Sequence, residues 1–259
     1  MPFAELPDVR LHYRIDGPRG APWLVLSNSL GTDLDMWAPQ MPTLEQRYRV
    51  LRYDKRGHGQ SGVTPGPYTA AQLGRDVMGL LDALAVPSAH FCGLSLGGVT
   101  GMWLGVNAPE RVGKLVLCNT AAKIGTPELW NARIAAVRQG GMGAIVDAVL
   151  GRWFTPQFAA QSAAGIAAVR ESILRTPAEG YIGCCAAVRD MDLREAIAAI
   201  RAPTLVIAGA QDLATPAADG RLVAEQIPGA RFVELPAAHL SNIESAAAFT
   251  SALTHHLAS

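Results

Sequence analysis

Residues 89–107 read AHFCGLSLGGVTGMWLGVN. An apolar extended run enters Gly93-Leu94-Ser95-Leu96-Gly97, and a helical, glycine-studded apolar run leaves it. A Gly-x-Ser-x-Gly between a strand and a helix predicts a sharp turn. Its serine takes an unfavourable backbone conformation, and the flanking glycines remove side chains that would clash there. The pentapeptide alone recurs by chance in glycine-rich chains; its position directly after a buried strand gives it meaning. Ser95 is thereby a candidate nucleophile, and Gly98 leaves room for close helix packing.

Outward from this turn, extended runs recur at 9–15, 23–28, 48–53, 114–119, 203–209 and 230–236. Helix-length segments at 69–85, 97–107, 217–226 and 243–257 separate most of them. Strands alternating with helices imply right-handed crossovers and a mostly parallel sheet covered on both faces. FAEL and VRLHYRI, joined by Pro7-Asp8, are too close for a crossover and predict an antiparallel hairpin at one edge. The expected fold class is α/β, with seven to eight strands. Between 121 and 190 no strand-like run appears, whereas alanine-rich segments of helical period recur at 127–139, 142–150, 157–175 and 178–189. The expected organisation is a core of residues 1–120 and 191–259 with a helical cap, 121–190, inserted in it.

Composition sets the outer bounds. A chain of 259 residues with 49% hydrophobic and 17% charged residues is one large globular domain or a domain with an insertion, not a disordered chain. Lysine plus arginine and aspartate plus glutamate both number 22, with no run of five like charges, which argues against a nucleic-acid partner. No apolar stretch has membrane-spanning length. MPFAELPDVR has no secretory pattern, and Cys92, Cys118, Cys184 and Cys185 lack metal-ligand spacing. The expectation is a cytoplasmic protein with free thiols and neither metal nor organic cofactor.

A serine nucleophile needs a base, and the base an orienting acid. Among six histidines, His255 and His256 are expected to be solvated at the end of the last helix. His12 lies in the first hairpin, and His90 precedes the strand that carries Ser95. His239 follows the last predicted strand, at the sheet edge where open α/β sites form, and is the candidate base. Asp212, ending the run VIAGAQDLATP, is the candidate acid, against the plainer role of an Asx turn or helix cap. The developing oxyanion needs two N–H donors. The Leu96 N–H follows the nucleophile, and the loop Ser27-Asn28-Ser29-Leu30-Gly31 offers the Leu30 N–H. The loop 54–61, DKRGHGQS, reads as a glycine-turned connector whose Asp54 and Arg56 satisfy backbone groups.

The segments SNSLGTDLDMW, YDKRGHGQS, GLSLGG, GAQDLATP and AAHLSNIE together resemble the α/β-hydrolase superfamily over essentially the whole chain. More narrowly, they resemble the 3-oxoadipate enol-lactonases of aromatic-ring catabolism; SNSLG departs from the His-Gly of most of the superfamily and matches that subgroup. The resemblance implies nucleophile Ser95, acid Asp212, base His239 and oxyanion amides at Leu30 and Leu96, in agreement with the placement above. It also implies a small anionic lactone as substrate, hydrolysed through an acyl-enzyme.

An anionic tail calls for an inward arginine, because a guanidinium both neutralises and orients a carboxylate. The insertion carries seven basic and five acidic residues. Trp130 and Arg133, spaced i, i+3, share a helix face, and with Trp153 they are the candidate pocket residues; the competing reading is ordinary packing and a solvated arginine. A general carboxylesterase or a carbon–carbon bond hydrolase would use the same triad. A slow-turnover ligand-binding or signalling protein is the alternative of another class. Enzymes of this fold with a carboxylate nucleophile are disfavoured by serine at position 95.

Overall fold

The computed structural model describes residues 2–259. Strands β1 (Phe3–Glu5) and β2 (Arg10–Asp16) form the expected edge hairpin. They are followed by β3 (Trp23–Ser27), β4 (Arg49–Tyr53), β5 (Ala89–Leu94), β6 (Val112–Cys118), β7 (Thr204–Gly209) and β8 (Arg231–Leu235). All eight join one sheet in the order β1-β2-β4-β3-β5-β6-β7-β8. The pairs β1/β2 and β2/β4 are antiparallel and every other pair is parallel. Parallel strands covered on both faces read as continuous apolar runs. Accordingly, Leu24, Val25 and Leu26 of β3, and Val206 and Ile207 of β7, are inaccessible to solvent.

Strand order reverses about β3, which has β4 on one side and β5 on the other. In open α/β sheets such a switch point leaves a crevice beyond the carboxyl ends of the strands. Here it brings the loop after β3 beside the turn after β5, with Ser27 paired to Gly93. Helices Ala70–Ala83, Leu96–Asn107, Ala217–Gln226 and Ala246–Ala258 lie near their expected positions. Five more, Pro127–Gly140, Val146–Trp153, Pro156–Gln161, Ala163–Arg175 and Ala178–Asp190, lie between β6 and β7.

Several local expectations are corrected. The segment 157–175 is two helices, broken where Ser162 has φ −131° and ψ 55°. The C-terminal run is likewise broken at Ser245, with φ −115° and ψ 46°. At Ser245 the hydroxyl donates outside the helix, to the Pro236 carbonyl (2.9 Å), as serines at such junctions commonly do. Leu34–Gln40 forms a 3₁₀ segment running into the short helix Met41–Leu44, both too brief to show a period in sequence. His256, expected in solvent, is buried, and its Nε2 lies 3.1 Å from the Pro203 carbonyl, because the last helical turn packs against the entry to β7. No helix among the described residues is long and apolar enough to cross a membrane.

Candidate active site

Ser95 occupies the turn from β5 into the helix Leu96–Asn107, with φ 58° and ψ −114°. A non-glycine residue there is strained by about 1–3 kcal/mol and persists only where its surroundings over-determine it. They do: the Ser95 N–H donates to the Cys118 carbonyl (2.8 Å), and its own carbonyl accepts from Thr120 Oγ1 (2.8 Å) and Val99 N–H (3.0 Å). The flanking glycines are sterically required. A Cβ on Gly93 would lie 2.1 Å from the Gly97 oxygen, and one on Gly97 would lie 2.1 Å from the Ser27 oxygen.

The candidate acid and base come from the loops after β7 and β8. Asp212 Oδ2 faces His239 Nδ1 at 2.8 Å and accepts from Thr215 Oγ1 (2.8 Å) and Asn119 Nδ2 (3.0 Å). Its Oδ1 takes the N–H groups of Ala214 (2.7 Å) and Thr215 (3.0 Å). Burial pushes this carboxyl up, but the adjoining His239, the Thr215 N–H and Asn119 outweigh it and hold it at about 2. An ionised Asp212 therefore fixes the proton of His239 on Nδ1 and leaves Nε2 free to accept one. The Asx-turn reading holds at the same time, since one oxygen caps the turn while the other holds the histidine.

The loop after β3 is tied down on its inner side. Ser27 Oγ lies 2.8 Å from Tyr53 Oη, Asn28 Nδ2 donates to the Tyr53 carbonyl (3.0 Å), and Trp37 Nε1 donates to Asn28 Oδ1 (3.1 Å). Gly31 has φ 83°, and its N–H donates to His58 Nε2 at 2.9 Å. Among the described residues no acceptor takes the Leu30 N–H. His58 is kept neutral by burial first and by the Lys55 charge second, so its Nε2 is an acceptor.

The expectation for the loop 54–61 is half right. Asp54 does accept the N–H groups of Leu34 (2.8 Å) and Gln60 (2.9 Å), and it also holds His12 Nδ1 at 2.7 Å. Arg56 instead forks onto the Asp76 carboxylate and reaches Asp8, because its buried charge needs a charged partner more than a carbonyl.

Ser29, Leu30, Ser95, Leu96 and His239 line one narrow cleft that is partly open to solvent. Trp130, Arg133 and Trp153 line it as well, as does Arg152. Trp130 is anchored by its Nε1 donating to the Ile124 carbonyl (2.7 Å), and the Arg133 guanidinium lies 5.2 Å from its ring centre. The Trp153 ring centre lies 5.6 Å from that of His239. Arg133 and Arg152 are half-buried, and among the described residues neither has a carboxylate within 4.0 Å. Burial, then Arg133, lowers the pKa of Arg152, whose Nη2 donates to the Leu213 carbonyl beside Asp212.

Sequence reasoning brings the eight chosen residues to one place, with Asp212 behind His239. It misses Arg152, whose signal was adjacency to Trp153. It also misses Asn119, at φ 44° after β6, which nothing local marks as a partner of Asp212.

A family model described as the alpha/beta hydrolase fold matches residues 22–246. The 3-oxoadipate enol-lactonase 2 of Acinetobacter baylyi is 44% identical over 246 residues, covering 95% of this chain and 92% of that protein. The crystal structure of the enol-lactonase from Burkholderia xenovorans LB400 superposes with a TM-score of 0.98 at 50% identity, covering all of both chains. A thermophilic esterase from Thermogutta terrifontis, solved with malate bound, gives 0.90 at 29% identity over 96% of this chain and 93% of that one. The chain belongs to the α/β-hydrolase family and is similar along nearly its whole length to 3-oxoadipate enol-lactonases.

Proposed function

We propose that this chain hydrolyses 3-oxoadipate enol-lactone to 3-oxoadipate. The observation that carries the anionic substrate is the pair Arg133 and Arg152, two half-buried arginines without carboxylate partners in the same cleft as Ser95 and His239. The similarity to enol-lactonases supports the lactone.

In this reading His239 Nε2 removes the Ser95 hydroxyl proton as Oγ attacks the lactone carbonyl. The oxygen that gains charge is held by the Leu30 and Leu96 N–H groups, and the start of the helix Leu96–Asn107 adds its positive end. The ring C–O bond then breaks, and His239 returns the proton to the departing enolate oxygen. The enol becomes the ketone. Water, deprotonated by His239, attacks the acyl ester, and Ser95 recovers its proton as the acid leaves. The ring opens without losing a fragment, so the substrate carboxylate stays anchored by the same arginines throughout. No step draws on a metal or organic cofactor.

Residues 121–190 act as the cap that roofs the site, over a core of 1–120 and 191–259. Four free, buried cysteines support a cytoplasmic location. The reading is tested by following lactone ring opening with wild type and with Ser95→Ala. Turnover lost only in the variant supports it; an inactive wild type or an active variant overturns it.

A further inference from the structure

We infer that Lys55 is a positioning residue for the oxyanion peptide, holding the carbonyls of Asn28 and Ser29 so that the Leu30 N–H faces the reacting carbonyl. The inference rests on the proposed role of Leu30. Lys55 follows β4 and is 2% exposed. Its Nζ donates to the Asn28 carbonyl at 2.9 Å and to the Ser29 carbonyl at 3.0 Å. The Ser29–Leu30 peptide is planar and trans, so its C=O and N–H point in opposite directions. An ammonium that draws the Ser29 oxygen to the buried side turns the Leu30 N–H to the other side, where the cleft lies. The bond to Asn28 fixes the preceding plane in the same way, and His58 takes the Gly31 N–H from below. These ties hold the Leu30 N–H on the cleft side, with the Ser29 N–H of the preceding plane beside it, and keep the Gly31 N–H away from it.

Thr32 shares the work on Ser29, whose oxygen also accepts Thr32 Oγ1 (3.0 Å) and the Thr32 N–H (3.3 Å). The Asn28 carbonyl has only Lys55 among the described residues. Stability alone gives little reason for the lysine. Among the described residues no carboxylate lies within 4.0 Å of its Nζ, and a buried ammonium without one is costly. Asp54, Asp33, Cys184 and His58 are the titratable groups around it. A positive charge beneath the loop also favours negative charge above it, an effect that strengthens only as the oxyanion forms.

The test compares wild type, Lys55→Met, Lys55→Gln and Ser95→Ala on the enol-lactone and on p-nitrophenyl acetate, with inhibition by phenylboronic acid, which adds to a serine as a tetrahedral anion. The expected result is a kcat lower by about 10- to 100-fold in Lys55→Met on either substrate, with KM within about threefold. The boronate inhibition constant rises by the same factor, and Lys55→Gln, whose amide NH2 keeps N–H donors but not the charge, loses less. An unchanged kcat and boronate affinity in folded Lys55 variants overturns the inference while leaving the serine mechanism intact. An active Ser95→Ala overturns the mechanism beneath it. Failure of both lysine variants to fold marks Lys55 as a structural residue and also overturns the inference. The ester arm keeps these outcomes readable even if the lactone is not turned over.

Discussion

Asp212 and His239 meet through an Oδ2 to Nδ1 distance of 2.8 Å, with both side chains buried. The carboxylate is over-satisfied relative to a simple ion pair, since Thr215, Ala214 and Asn119 also donate to it. That set of donors makes the aspartate an anion that orients the imidazole rather than a proton carrier.

Asp212→Asn should lower kcat by about 10⁴-fold with the fold retained, because an amide in place of the carboxylate favours the wrong histidine tautomer. Stability adds a pH signature. The folded-state pKa, about 2, lies below the ordinary 3.8, so the stabilisation is present above the ordinary value and is lost as pH falls towards 2. Denaturation curves should show the wild-type advantage over Asp212→Asn shrinking by roughly 2 kcal/mol between pH 5 and pH 2. A gap that does not change with pH would contradict the assignment.

Gly97→Ala should cost about 2–4 kcal/mol of stability, because its Cβ would fall 2.1 Å from the Ser27 oxygen and push β3 from the turn. Labelling of Ser95 by a fluorophosphonate should slow in the folded fraction. Wild-type labelling and an unchanged denaturation midpoint would show that the close approach is dispensable.

The turn at Ser95 was legible in sequence because its signal is local: five residues between a strand and a helix. The strands, their mostly parallel pairing and the antiparallel edge hairpin were legible for the same reason, through periodicity and spacing, whereas the order of the strands in the sheet was not, since it depends on which distant runs pair. Asp212 and His239 were legible because strand ends converge on one edge. Arg133 was legible through its helical spacing from Trp130, whereas Arg152 was not, since the direction of a side chain at the end of a short helix is set by what the helix packs on. Lys55 and His58 escaped because their partners, Asn28, Ser29 and Gly31, lie 26 or 27 residues away on the neighbouring strand's loop. His256 escaped because a polar helix end gives no hint that a strand entry covers it.

Arg133→Met and Arg152→Met should each raise KM for the anionic lactone by roughly 10- to 100-fold, the worth of a hydrogen bond to a charged group. KM for a neutral aryl ester should move little. Equal effects on both substrates would assign the arginines to cap packing.

Lys55 carries a second pH signature, of opposite sign to that of Asp212. Burial lowers its pKa from 10.5 to about 8, so the unfolded chain holds the proton more tightly and the charge destabilises the fold below pH 8. As pH rises from 8 to 10.5 that penalty is relieved, by up to about 3 kcal/mol. Relative to Lys55→Met, the wild type should gain stability over this window in paired denaturation curves. A constant difference between the two proteins would mean that Lys55 titrates at its ordinary value.

The most direct test of an anion-selective serine lactonase is kcat/KM for 3-oxoadipate enol-lactone beside that for a neutral short-chain aryl ester, with Ser95→Ala as the blank. The lactone should be preferred by at least about a thousandfold, on the order of 4 kcal/mol of transition-state discrimination, with both activities absent from the blank. Comparable rates on the two substrates, or turnover of the lactone by Ser95→Ala, would contradict the account.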